Sequence, residues 1–226
     1  DQPLDERVFE PVQAAIRKVK AELPARVTML GCAGAPWTLL AYGLEGKGSR
    51  NWSRAKAFLH QEPARAQAWL DRLADAAARL LTLHIGAGAE GVQLFDTWAG
   101  ELDPEDYAAF SLPSVERTLR QVEGAPRLFF ARAGYLPDAL AGLPCEGLAV
   151  PWQVPMAEAR RRFPSKVLQG NLDPIALLAG KAAACAKARR IVDAMQGAPH
   201  VFNLGHGLTP ETDPDVLAAV IEEVKR

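Results

Sequence analysis

The apolar positions of this chain fall into two alternating patterns. Leu4, Val8, Val12, Ile16, Val19 and Leu23 recur at three- and four-residue intervals, which predicts an opening helix closed by Pro24. Val27–Leu30 is a short apolar run, and similar runs recur at Gly91–Phe95, Arg127–Phe130, Gly147–Val150, Lys166–Gln169 and Val201–Leu204. Short and without in-out alternation, these runs read as strands buried on both faces. Helical stretches separate them. Pro63 to about Ala87 is a long one, with Trp69, Leu73, Leu80 and Leu83 on its apolar side. Pro104–Ser111 and Ser114–Glu123 are helical with Pro113 breaking them, a short helix lies near Pro137, and Pro155–Arg162 and Ile175–Met195 follow. A last helix runs from Pro214, opened by Thr209 or Thr212.

Strand alternating with helix predicts a parallel sheet covered by helices. Polar clusters fall at the C-terminal ends of several different strands, which favours a TIM-type (β/α)8 barrel over a doubly wound sheet. The chain supplies six βα units of such a barrel. No repeat or low-complexity linker divides it, so residues 1–226 are expected to form a single domain. The glycine-rich stretch Gly31–Tyr42 with Gly43–Ser49 reads as a loop that passes close to something. It has neither the Walker lysine nor the Rossmann spacing, so it is not a phosphate or dinucleotide loop.

Composition changes this picture little. Over 226 residues, 49% hydrophobic and 23% charged describe an ordinary globular protein with a sizeable core. A net charge of -1 argues against nucleic acid or an anionic membrane as partner. Cys32, Cys145 and Cys185 are widely spaced with no CxxC pair, which suits a reducing cytoplasm rather than a disulfide framework or structural zinc. No apolar run has the length of a membrane span, and no signal peptide is evident. The chain opens at Asp1 instead of a methionine, so its natural N-terminus is expected to be missing.

The candidate chemistry sits at strand exits. His206 stands between Gly205 and Gly207 after the last strand, with no bulky neighbour in sequence. Taken alone, Gly-His-Gly reads equally as a ligand contact and as a solvated turn. Asp96-Thr97-Trp98-Ala99-Gly100 follows the second strand. His60 and His84 lie in helical sequence and read as capping or packing residues. Lys47, Arg50 and Arg132 read first as solvated loop charges, and second as residues that steer an anion.

Several motifs combine into a resemblance. Ala33-Gly-Ala-Pro-Trp-Thr38 with Tyr42-Gly-Leu-Glu-Gly, Gln93-Leu-Phe-Asp-Thr-Trp-Ala-Gly100, Gln169-Gly-Asn-Leu-Asp-Pro174 and Phe202-Asn-Leu-Gly-His-Gly207 resemble the uroporphyrinogen decarboxylase family, in the right order and over essentially the whole chain. The resemblance implies a cofactor-free, metal-free (β/α)8 barrel of haem biosynthesis, a cytoplasmic homodimer. Such enzymes convert the four acetate side chains of uroporphyrinogen to methyls, giving coproporphyrinogen. Residue by residue, it makes Tyr42, Thr97 and His206 substrate-binding residues, brought to one mouth from three strand exits. Each can hydrogen-bond a carboxylate or direct a reactive group.

The chain also departs from the family. The opening two-arginine motif and the aspartate that binds the pyrrole NH groups are absent, so the general acid is unassigned and this chain alone is expected not to turn over. Six strands would leave the first and last with unpaired edges. Pro151 stands where the family usually has an aspartate before Trp152, and Thr97 replaces the more usual serine. Two alternatives remain at this stage. One is a truncated relative that only binds or dimerises. The other is a zinc-dependent corrinoid methyltransferase of the same superfamily, which needs a histidine and cysteines at strand ends.

Overall fold

The computed structural model describes residues 4–134 and 136–226. The chain forms two compact units, one running to Arg132 together with Leu143–Glu146, the other comprising Ala133–Gly142 and Gly147–Arg226.

In the first unit a 3-10 turn (Glu6–Phe9) leads into α1 (Glu10–Glu22), then β1 (Leu30–Gly34), α2 (Pro36–Glu45), α3 (Ser53–Gln61), α4 (Pro63–Gly86) and β2 (Gly91–Asp96). After β2 come α5 (Pro104–Asp106), a π-helical turn (Tyr107–Ser111), α6 (Leu112–Arg120) and β3 (Arg127–Ala131). The strands are parallel, with Leu30 opposite Gly91 and Val92 opposite Arg127. Leu59, Leu70, Leu81, Leu94, Leu119 and Phe129 fill the core between strands and helices.

Four expectations for this unit need correction. The first strand is Leu30–Gly34, not Val27–Leu30, and its burial alternates. It is built of small residues because α4 presses on it: a Cβ added to Gly31 would lie 2.7 Å from the Cβ of His84. Hydropathy does not report such a strand. Residues 36–42 belong to α2 and not to a loop. Pro36 begins the helix at a position where a missing N–H is harmless, and Trp37, Thr38, Leu40 and Ala41 are buried along it. Pro113 does not break a helix, because the π-helical turn directly ahead of it widens the backbone where the proline ring would otherwise collide. The opening stripe is only partly used: Ile16 is buried, but Val12 and Val19 are 39% and 46% exposed.

The second unit contains a 3-10 turn (Asp138–Gly142), β4 (Gly147–Ala149), α7 (Met156–Arg162), β5 (Val167–Gln169), a 3-10 segment (Pro174–Ala179), α8 (Lys181–Ala194), β6 (His200–Val201) and α9 (Pro214–Val224). β4 pairs with β5 and β5 with β6, all parallel, and a parallel bridge joins Leu172 to Leu204. Leu172, Leu177, Ala184, Ala188, Val216 and Val220 form its core. The predicted helix Ile175–Met195 is split at Gly180, whose φ of 87° is left-handed. Asp213, not Thr209 or Thr212, caps α9 by accepting from the Asp215 N–H at 2.8 Å. The two threonine hydroxyls lie 3.3 Å apart and bond each other. The last strand keeps only His200 and Val201 in ladder register, with Leu204 continuing as the bridge.

Six parallel strands alternating with helices are those of a partial TIM-type barrel. Among the described residues no helix is long and apolar enough to cross a membrane.

Candidate functional site

The C-terminal end of β2 carries the most constrained chemistry of the first unit. Asp96, its last residue, is wholly buried. Its Oδ1 accepts from the Thr38 hydroxyl at 2.7 Å and its Oδ2 from the Ser111 hydroxyl at 2.6 Å. Burial pushes the carboxyl up to about 6, against the two hydroxyl donors that favour its charged form. With no exposed surface and both oxygens engaged, Asp96 cannot touch a substrate and instead positions its neighbours. The Thr38 hydroxyl that donates to it also accepts from the Trp98 backbone N–H at 3.2 Å. The Trp37 indole N–H donates to the Trp98 carbonyl at 2.9 Å. Helix α2 therefore clamps the peptide groups of Trp98, the residue after Thr97, from both ends.

Thr97 is half-buried on this clamped turn. Tyr42, 43% exposed near the end of α2, stands edge-on to the Trp98 ring with centroids 6.0 Å apart. Trp52 packs on both, 5.2 Å from Tyr42 and 4.6 Å from Trp98. Trp52 holds a left-handed φ of 51°, unusual for a large side chain, and its backbone N–H donates to the Ser49 hydroxyl at 3.1 Å. Tyr42 and Thr97 thus gather around one tryptophan, but Tyr42 reaches it from a helix and not from a strand exit.

Arg132, read from sequence first as a solvated charge, is half-buried at the exit of β3. Its guanidinium lies 4.6 Å from the Trp98 ring centroid, and its Nε–H donates to the Thr97 carbonyl at 3.1 Å. Lys47 and Arg50 are exposed, as read from the sequence.

His206 belongs to the second unit and is exposed. Its neighbours in sequence are the two glycines, and in space its ring meets Trp152. The two rings stand edge-to-face with centroids 6.3 Å apart, and a Cβ on Gly205 would lie 2.7 Å from the Trp152 nitrogen. Asn171 fixes this tryptophan's turn by donating to the carbonyls of Pro151 at 3.0 Å and Val154 at 2.6 Å. Gly170 permits the approach, since a Cβ there would lie 2.9 Å from the Val150 carbonyl. Packing and hydrogen bonding thereby account for the Gly-Asn pair of that motif.

The remaining histidines act in the structure of the units. His60 pairs with Asp106 at 2.9 Å. His84 is buried, neither ring nitrogen has a hydrogen-bond partner among the described residues, and burial lowers its pKa, favouring the neutral ring. His200 Nε2 donates to the Gly170 carbonyl at 2.7 Å. Among the described residues no three His, Cys, Asp or Glu side chains come together in a metal-ligating group. A cavity of about 500 Å³ between α2, α3 and α4 is lined by Leu39, Leu44, Phe58 and Trp69, and neither Tyr42 nor Thr97 faces it.

Sequence reasoning passed over Asp96, Thr38, Trp98 and Ser111. Asp96 and Trp98 were visible inside the polar cluster after β2. Thr38 and Ser111 gave no signal of their own, because only the fold brings their hydroxyls to one carboxylate.

By fold, this is an α/β protein of the TIM-barrel class, with polar and aromatic side chains collected at strand ends. One solved structure, a methyltransferase from Methanosarcina mazei, superposes with a TM-score of 0.82 at 19% identity, covering 95% of this chain and 63% of that one. Another, a B12-independent methionine synthase from Shewanella sp. W3-18-1 solved with selenomethionine, gives 0.60 at 12% identity, covering 99% and 65%. At such identities these likenesses speak for the fold alone. The uroporphyrinogen decarboxylase (URO-D) family model matches residues 1–226, and the chain belongs to that family. The uroporphyrinogen decarboxylase of Methylococcus capsulatus is 40% identical over 221 residues, covering 94% of this chain and 63% of that protein. That of Azotobacter vinelandii is 42% identical over 231 residues, covering 98% and 65%. The chain thus spans just under two thirds of the length of these relatives.

Proposed function

We propose that this chain serves the decarboxylation of uroporphyrinogen to coproporphyrinogen in tetrapyrrole synthesis. The observation that carries this reading is the relationship, at about 40% identity over nearly the whole chain, to proteins named for that activity. In this reading no prosthetic group takes part. Protonation of a pyrrole α-carbon makes the ring an electron sink, carbon dioxide leaves from an acetate side chain, the remaining methylene takes up a proton to become methyl, and the α-carbon gives its proton back to restore the pyrrole. Tyr42 and Thr97 donate hydrogen bonds to substrate carboxylates from the Trp98 cluster, and His206 makes a further contact. The protein works as a cytoplasmic homodimer.

The clamped geometry around Trp98 supports the assignment of Thr97. A hydroxyl that selects among carboxylates must not wander, and here the peptide groups beside it are fixed by two side chains of α2.

Uroporphyrinogen is supplied to this chain alone and to the chain joined to the arginine-bearing segment that the family places ahead of it. Coproporphyrinogen is expected from the joined form. There, His206→Ala should lower turnover at least tenfold with unchanged thermal unfolding, since His206 is exposed. Product from neither form overturns the reading.

A further inference from the structure

Among the half-buried arginines, Arg132 and Arg160 pair with no described carboxylate, and Arg160 turns its Nη1 to the carbonyls of Ala194 and Gln196. Arg127 pairs with Glu146, Arg162 with Asp138 and Glu158, and Arg189 with Glu223. Among the described residues Arg132 pairs with no carboxylate; its side-chain contacts are the Thr97 carbonyl and the Trp98 ring. Its backbone is held on both sides, the N–H donating to the Asp96 carbonyl at 3.1 Å and the carbonyl accepting from Gly100 at 3.0 Å. Nε and the aromatic face fix the plane of the guanidinium. The two terminal nitrogens are left with no described partner.

A fixed fork with unused donors matches an oxyanion that accepts two parallel N–H···O bonds, and the side-chain carboxylates of a tetrapyrrole are such groups. Thr97, whose carbonyl Arg132 holds, and Tyr42, whose ring meets Trp98 edge-on, belong to the same cluster as this cation. We propose that Arg132 is a substrate-binding residue that grips one side-chain carboxylate of the tetrapyrrole. The inference rests on the reading given under Proposed function and adds to it a site for one of the substrate's negative charges. Stacking on Trp98 makes the site specific for arginine: lysine keeps the charge but loses both the fork and the planar contact.

The test uses uroporphyrin, the stable oxidised macrocycle with the same carboxylates, and reads binding by quenching of tryptophan fluorescence. Coproporphyrin, in which methyls replace the acetates, is the companion ligand. Arg132→Gln is expected to raise the Kd for uroporphyrin about tenfold, as loss of a charge-assisted pair would, and to weaken its salt dependence. Arg132→Lys should recover part of the affinity. A loss confined to uroporphyrin assigns the grip to an acetate, and an equal loss with coproporphyrin assigns it to a propionate. If Arg132→Gln fails to fold, Arg132→Lys is judged by the same titration, with a threefold loss expected. Binding within twofold of the parent chain in a folded variant overturns the role of Arg132 while leaving the tetrapyrrole reading standing. Failure of the parent chain to bind uroporphyrin, both alone and joined to the arginine-bearing segment, overturns both.

Discussion

The Thr38 hydroxyl donates to Asp96 Oδ1 at 2.7 Å while accepting from the Trp98 backbone N–H at 3.2 Å. One hydroxyl therefore joins a buried carboxylate on β2 to the turn that carries Thr97. Ser111 completes the arrangement from the π-helical turn, at 2.6 Å from Oδ2. Three segments distant in sequence meet at this carboxylate.

The first consequence concerns pH. The folded chain takes up a proton on Asp96 near pH 6, whereas the unfolded chain does so near 3.8. Between those values the folded state binds more protons, so this group's contribution to stability falls as pH rises from about 4 to about 6. The difference corresponds to roughly 3 kcal/mol. Asp96→Asn removes the titration. Urea unfolding of parent and Asp96→Asn chains from pH 4 to 7 should show the variant gaining relative stability as pH rises. Parallel pH profiles would show that the carboxyl titrates normally.

A second prediction isolates the hydroxyl. Thr38→Val keeps the shape of the side chain but leaves Asp96 Oδ1 and the Trp98 N–H without their partner. A buried carboxylate oxygen and a partly buried N–H then lose a hydrogen bond, and unfolding should cost about 2–4 kcal/mol less than in the parent. Hydrogen exchange at the Trp98 amide should also accelerate. An unchanged exchange rate would mean that this hydroxyl does not hold the turn.

The third prediction separates two glycines that look alike in sequence. Gly205→Ala would place a Cβ 2.7 Å from the Trp152 backbone nitrogen, whereas nothing lies within 4 Å of a Cβ on Gly207. Gly205→Ala should therefore lower stability by about 1–3 kcal/mol and displace Trp152. Gly207→Ala should be neutral within about 0.5 kcal/mol. Melting curves of the two variants, with Trp152 fluorescence, provide the measurement, and equal melting temperatures would refute the packing role of Gly205.

The sequence alone determined the alternation of strands and helices, and hence the barrel class. Continuous apolar runs such as residues 128–131 have a local signature, because a strand buried on both faces is apolar at successive positions. It also determined the family, since the four motifs keep their residues whatever the surrounding packing does. Elements whose character depends on a partner were not legible. β1 is made of small residues because His84 of α4 crosses it, and α2 hides in a run rich in glycine and proline because burial, more than propensity, stabilises it. Arg132 belongs to the same class. In sequence it is one charge among many, and whether an arginine is solvated or aimed depends on what lies beside it. Only tertiary structure set Trp98 under its guanidinium and the Thr97 carbonyl at its Nε, since the ends of β2 and β3 come together only when the strands pair.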